Sequence, residues 1–340
     1  MSPRYLVSTA LAAVVLVAVP VFAQAPKPAA ATQPKPTTAQ KKWVAPRTPW
    51  GDPDLQGPYS NLSENGTPME KPNEFVGRQL QDVKGDELIA IKQGIQNRTV
   101  QNFAGPLHAP DSWWQADLNL VKGTQAWFVI DPEDGKIPAL TAEATARNAA
   151  RADARRAAGR GPSDSWEDRS YYDRCITRGF PGSMLPVIYG NSYEIIQTPG
   201  FVAISYEMIH ETRIIPISPV GAKPQASSNI PSYMGDARGH WEGDTLIVET
   251  TNFRDETAFR QANGATLKIT ERFTRTAPNT VTWAVTVEDP KTWTKPWTFA
   301  MPLTRDETQP VLEYGCHEGN LGLRNILSAA RSEEEAAKKK

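Results

Sequence analysis

Cysteine and histidine are scarce in this chain, with two and four copies in 340 residues. None of them stands in a compact ligand spacing such as H-x-H or C-x-x-C, so the metal signal is weak. Neither sign of charge is in excess: 37 Lys+Arg face 38 Asp+Glu, a formal net charge of -1. That balance excludes the electrostatic footprint of a nucleic-acid binder or a polybasic membrane protein. A Gly-rich phosphate loop and a G-x-S-x-G nucleophile elbow are both missing. No internal repeat is present, which argues against a propeller. What the chain does have is 29 prolines, 10 tryptophans and 39% hydrophobic residues. The prolines disfavour long helices, because each lacks an N–H and clashes with the preceding turn. The tryptophans suit a β-rich body with aromatic-lined surfaces.

Arg4 precedes an apolar run from Tyr5 to Ala23. A charged start, an apolar stretch and Val21-Phe22-Ala23 before Gln24 have the form of a secretory signal over residues 1–23. The competing reading is a membrane anchor, since the run approaches the ~20 residues that span a bilayer. Small residues at the -3 and -1 positions and the lack of a basic cluster directly after them favour cleavage. No cysteine lies at the junction, so a lipoprotein is not expected, and no second apolar run of spanning length follows. The expected location is the periplasm or the extracellular space. In that oxidising setting Cys175 and Cys316 are read as one disulfide. It would close a loop of about 140 residues, worth on the order of 4–5 kcal/mol in the chain-entropy account. The alternative is a nucleophilic Cys316 beside His317.

Residues 24–41, rich in Pro, Ala, Thr and Lys, read as an extended spacer. A single β-rich domain is expected over 42–332, beginning with an irregular wrap at 42–138 and followed by a charged tail at 333–340. Within the wrap, residues 80–96 carry partial helical spacing. The Ala/Arg-rich stretch 139–160 predicts a surface helix started by Thr141, and 321–330 a terminal helix. From Tyr193 the period becomes two. Tyr193–Thr198, Phe201–His210, Arg213–Ile217, Thr245–Thr251, Thr266–Thr274, Thr280–Glu288, Thr298–Leu303 and Val311–Gly315 read as strands separated by turns. Short sequential strands predict a mainly β, antiparallel meander over 193–315. It would close into a lipocalin-like barrel with a ligand-sized interior, or pair into a sandwich.

Polar residues interrupt that pattern. Glu271 falls on the same face as Leu267, Ile269 and Phe273, and His210 continues the face of Val202, Ile204, Tyr206 and Met208. An inward carboxylate or imidazole is costly unless paired or solvated, and desolvation shifts such groups toward acid/base use. The structural alternative is a satisfied buried group, with Glu271 on an arginine and His210 on a carbonyl. His210-Glu211-Thr212-Arg213 superficially follows a zinc-protease signature, but Arg213 replaces the second histidine and the context is a strand. Asp236 to Asp244, including His240 and Trp241, reads as a polar cluster with turn chemistry around its glycines. Cys316-His317-Glu318-Gly319-Asn320 follows the last expected strand, where a disulfide would pin His317 and Glu318. Ser112-Trp113-Trp114 and Trp293 to Trp297 read either as stacking surfaces for a ligand or as core and rim.

Several of these segments together resemble a large family of exported bacterial proteins without an established activity. They are Thr48-Pro49-Trp50-Gly51-Asp52-Pro53-Asp54-Leu55-Gln56-Gly57, Gln197-Thr198-Pro199-Gly200, Tyr206-Glu207-Met208-Ile209-His210-Glu211, Trp241-Glu242-Gly243-Asp244-Thr245-Leu246, Thr270-Glu271-Arg272-Phe273 and Tyr314-Gly315-Cys316-His317-Glu318-Gly319-Asn320. The resemblance implies export and one fold over nearly the whole mature chain, and it implies no chemistry. The chain departs from that pattern around 217–231, a Pro/Ser-rich loop.

The resulting expectation is an exported hydrolase or lyase acting by acid/base chemistry on a small or sugar-like molecule. Neither class needs a soluble nucleotide cofactor, which an exported protein would not readily obtain. His210 and Glu271 are the acid/base candidates, with His317 and Glu318 assisting. Tyr206, Arg213, Trp241, Asp236 and His240 are the substrate-binding candidates. No cofactor is assigned; a divalent metal is the one alternative, at the histidines that neighbour carboxylates. The expected partner is a small molecule or glycan, with no nucleic acid and no membrane span after cleavage. The rival readings are a non-catalytic ligand-binding barrel and an envelope-associated scaffold.

Overall fold

A computed structural model describes residues 43–103, 119–187, 189–219, 229–308 and 311–339. The signal segment, the spacer, His108, Trp113, Trp114 and residues 220–228 of the Pro/Ser-rich loop lie outside the described residues.

The alternating segments form an antiparallel sheet of ten strands. They are β1 (Gly57–Ser60), β2 (Val129–Asp131), β3 (Ser192–Thr198), β4 (Phe201–Tyr206), β5 (Thr212–Pro216), β6 (Asp236–Glu242), β7 (Thr245–Thr251), β8 (Lys268–Ala277), β9 (Thr280–Glu288) and β10 (Trp297–Arg305). Neighbours run β5-β4-β3-β1-β10-β9-β8-β7-β6, and β2 adds to β10 beside this path. Two sequential meanders, β3–β5 and β6–β10, are therefore joined by the short β1. It pairs with β3 through Gly57↔Ile195 and with β10 through Tyr59↔Arg305. The hairpins follow their turn chemistry. Between β3 and β4, Pro199 precedes Gly200 at φ +83°, the backbone that a type II turn requires.

The sheet curls into a nearly closed barrel with one unsealed seam, and strand number explains the seam. Nine strands lie on the path and every neighbouring pair is antiparallel, so the two edges, β5 and β6, must point the same way. A parallel contact has slanted hydrogen bonds and lower stability per residue. The edges meet at Ile217↔Gly239, a parallel bridge, where the Ser218 N–H donates to the Gly239 carbonyl at 2.8 Å. Gly239 leaves room for this approach: a Cβ there would lie 2.8 Å from Ile217 Cδ1 and 3.0 Å from Ile215 Cγ2, so those side chains would have to shift.

The interior is filled rather than hollow. Trp283, Phe273, Phe299 and Trp297 form one aromatic group, with Trp283 edge-on to Phe299 at 5.6 Å, and Tyr193 lies edge-on to Tyr206 at 5.9 Å. Met184 and Phe180, from the chain before β3, are also buried in this core. A barrel of this strand number is about wide enough for side chains to fill, so the ligand-sized interior expected from the meander gives way to packed aromatics.

Three α-helices are found among the described residues: α1 (Gly85–Phe103), α2 (Ala142–Ala157) and α3 (Leu321–Lys338). Thr141 caps α2 as expected, its hydroxyl accepting from the Ala144 N–H at 3.0 Å. The first helix begins later than the 80–96 spacing suggested, because 80–82 form a separate 3-10 turn. The last runs on through most of the charged tail, where Arg331 pairs with Glu334. Val311–Gly315 is not a strand, whereas Asp236–Glu242 is one. None of the helices is long and apolar enough to cross a membrane.

Candidate functional site

The barrel interior holds the first polar cluster. Arg213, on β5, donates from Nη2 to Glu271 Oε2 at 2.7 Å and from Nη1 to Oε1 at 3.2 Å. The Trp283 indole N–H donates to the same Oε1 at 3.0 Å. Arg213 also reaches Thr250 Oγ1 at 3.2 Å and the Tyr206 hydroxyl at 3.4 Å, and its guanidinium lies 3.7 Å from the Phe180 ring centre. Glu271 is 0% exposed and Arg213 5%. Burial opposes the arginine charge, but Glu271 and the hydrogen bonds outweigh it and hold the Arg213 pKa above its usual value. Burial likewise raises the Tyr206 hydroxyl, against the pull of Arg213. Both carboxylate oxygens of Glu271 are thus engaged, in a packed space.

His210 is not part of this cluster. The strand stops at Tyr206, and Ile209 and His210 turn out of it at φ +62° and +45°. The inward orientation expected from alternation is therefore corrected: His210 is exposed, and its Nδ1 donates to the Tyr314 carbonyl at 3.0 Å. The structure keeps His210 and Glu271 apart, one on the rim and one in the interior.

The same rim carries the Cys175–Cys316 disulfide, with Cα atoms 5.7 Å apart. This removes Cys316 as a nucleophile. Asn320 ties the region down. Its Nδ2 donates to the Asp173 carbonyl at 2.8 Å, and its Oδ1 caps α3 by accepting from the Leu323 N–H at 3.1 Å. Tyr189 stacks on Tyr314 at 6.3 Å, and burial together with Tyr189 pushes the Tyr314 hydroxyl up to about 12. His317 and Glu318 are exposed beside the disulfide. The half-buried carboxylate of this rim is Glu211, whose pKa burial raises while Thr177, the Arg178 N–H and Ser183 oppose the rise.

Asp236, His240 and Trp241 lie on β6, at the seam, in a strand rather than a turn. Asp236 and His240 face outward, His240 within 3.4 Å of Glu242. Trp241 is half-buried against the core, and its indole N–H has no hydrogen-bond partner. The substrate-binding candidates are therefore split between the interior (Tyr206, Arg213) and the seam. No group of three or more His, Cys, Asp or Glu side chains placed to hold a metal occurs among the described residues.

Two clefts lie outside the barrel. One of about 480 Å³ borders Pro58, Glu194 and Ser205 on the outer face of β1, β3 and β4. A larger one, about 910 Å³, opens between the N-terminal wrap, α2 and the turn after Phe259. Its lining includes Glu70, Lys71, Lys136, Ile137, Arg260 and Trp293. Of these, sequence reasoning had singled out Trp293 alone. The others sit in irregular chain, where no period marks a face, and their meeting arises only from the fold.

Comparison with known proteins finds no matching family model, no similar curated protein and no similar solved structure, so the chemistry of this chain is read from its own side chains.

Proposed function

We propose that this chain is an exported, non-catalytic binding protein, in which the barrel is a packed scaffold and a small molecule is held on its outside. The observation that carries this reading is the state of Glu271. A general acid or base needs a free oxygen within reach of substrate, and both oxygens of Glu271 accept from Arg213 or Trp283 inside an aromatic core. A cleft of about 910 Å³ on the outer side supplies the concave surface that the interior lacks; small-molecule sites occupy ~300–1,000 Å³. The Cys175–Cys316 disulfide supports export, since such bonds persist in oxidising compartments.

The test is a thermal-shift panel of small molecules and glycans on the purified chain, with mass spectrometry of each compound that raises Tm. The expected result is stabilisation with the compound recovered unchanged. A new product that depends on the protein overturns this reading in favour of the acid/base enzyme.

A further inference from the structure

We propose that the large outer cleft binds an organic oxyanion, a carboxylate or phosphate monoester on an apolar body, with Lys71 meeting the anionic head and Arg260 reinforcing it. This rests on reading the chain as a binding protein.

Lys71 is the central observation. It is only 5% exposed, yet its ammonium takes part in no hydrogen bond or ion pair among the described residues. Its Nζ lies 5.5 Å from the centre of the Trp127 ring. The stem is enclosed but Nζ keeps contact with solvent, so its three protons are available to an acceptor that enters the cleft. The chain's treatment of its other buried lysine sharpens the contrast. Lys92 is 0% exposed, and its Nζ donates to Glu64 Oε2 at 2.7 Å and to Thr67 Oγ1. Where a buried lysine is structural, this protein provides its carboxylate; at Lys71 it provides none.

The lysine is also held in place. Gly135, at φ +70°, leaves room for the stem, since a Cβ there would lie 2.6 Å from Lys71 Cβ. The stem is thereby confined between Gly135 and Trp127. Little further side-chain freedom is lost when a ligand arrives, which is the advantage of a preorganised site.

The surroundings select the charge of the ligand. Three cations, Lys71, Lys136 and Arg260, line the cleft against Glu70. Glu70 already accepts from the Ile137 N–H at 2.7 Å, and Lys136 donates to the Lys71 carbonyl and to Asn73 Oδ1. Arg260 is exposed and has no hydrogen bond or ion pair among the described residues; its guanidinium lies 5.7 Å from the Phe259 ring centre, and the Glu70 carboxylate acts on its charge. Glu70 is thus the one carboxylate facing three cations in this lining, which leaves it with an excess of positive charge. Ile137, Met69 and half-exposed Leu140 give the cleft apolar walls beside these charges. An anion without an apolar portion would leave those walls wet.

The test titrates octanoate, octyl phosphate, octanol and octylammonium into the wild-type protein, Lys71→Met and Arg260→Gln by calorimetry. Methionine keeps the stem that packs on Trp127 while removing the charge, and Arg260 is exposed, so its variant tests the site independently of core packing. The expected result is binding of octanoate or octyl phosphate, weakened at least tenfold by Lys71→Met and about threefold by Arg260→Gln, with octanol and octylammonium weaker than either anion. The tighter of the two anions identifies the head group. Equal anion affinity in wild type and both variants overturns the site, as does octylammonium binding as tightly as octanoate. Its failure is distinguishable from failure of the binding-protein reading. Conversion of octanoate to a product would sink that reading while leaving the site in place, and stabilisation by other compounds with no anion binding would do the reverse.

Discussion

Glu271 is sealed from solvent and accepts three hydrogen bonds, two from Arg213 and one from Trp283. Removing one partner of such a pair strands the other charge, which typically costs about 3–5 kcal/mol. Glu271→Gln is therefore expected to lower unfolding stability by that amount in urea, although the amide matches the carboxylate in size. The double change Arg213→Met with Glu271→Met should recover part of the loss. The Trp283 N–H would still lack an acceptor, leaving a deficit of about 1–3 kcal/mol. A single variant as stable as wild type would show that the pair is not closed as described. Glu211 makes a second residue-scale prediction, with a definite sign. Burial raises its folded pKa above the ordinary 4.5. Below that ordinary value both folded and unfolded states hold the proton, and burial costs nothing. As pH rises through the folded value, ionisation in a half-buried site destabilises the fold, so this contribution to stability is lost with rising pH. Between about pH 4 and about pH 8 the urea midpoint of wild type should therefore fall relative to that of Glu211→Gln, and a difference that does not change with pH would contradict this.

The disulfide acts on elements rather than on the core. It links the segment before β3 to the chain that enters α3, across 141 residues. Cys316→Ser is expected to cost about 4–5 kcal/mol in the chain-entropy account. It should also make 311–320 the first site of limited proteolysis, because Asn320 and the His210–Tyr314 contact would then be the main remaining ties of that segment. Unchanged cleavage kinetics would contradict this. Elements were legible in the sequence where one period persisted. β7 and β9 have the bounds that alternation predicted, and Thr141 marked the start of α2. Reading failed where a local choice overrode period. His210 continued an apolar face on paper, but two left-handed residues turn it outward. Asp236–Glu242 looked like a turn because it is polar and carries Gly239, yet its glycine serves the approach of β5. Lys71 and Arg260 had no signal, since neither belongs to a periodic element and their proximity is a product of tertiary structure.

For the whole molecule, the odd number of strands on the path is decisive. An antiparallel ladder of nine cannot close on itself antiparallel, so one contact must be parallel, and it lies between β5 and β6. Arg213 compensates from inside. It belongs to β5 but bonds to Thr250 on β7 and Glu271 on β8, passing behind β6 and tying the two sides of the seam together. Glu271, read in the sequence as an acid/base candidate, and Arg213, read as a substrate-binding one, thus pair across the place where the backbone ladder is weakest. Native-state hydrogen exchange should follow the same order. Amides of β5 and β6 should exchange through local opening, ahead of those of β8 and β9, which have a paired strand on each side. In the Arg213→Met, Glu271→Met double variant, protection should fall further in β5 and β6 than the global loss of stability explains, with β8 and β9 following the global value alone. A uniform fall across all strands would mean that the pair contributes to the core without clamping the seam.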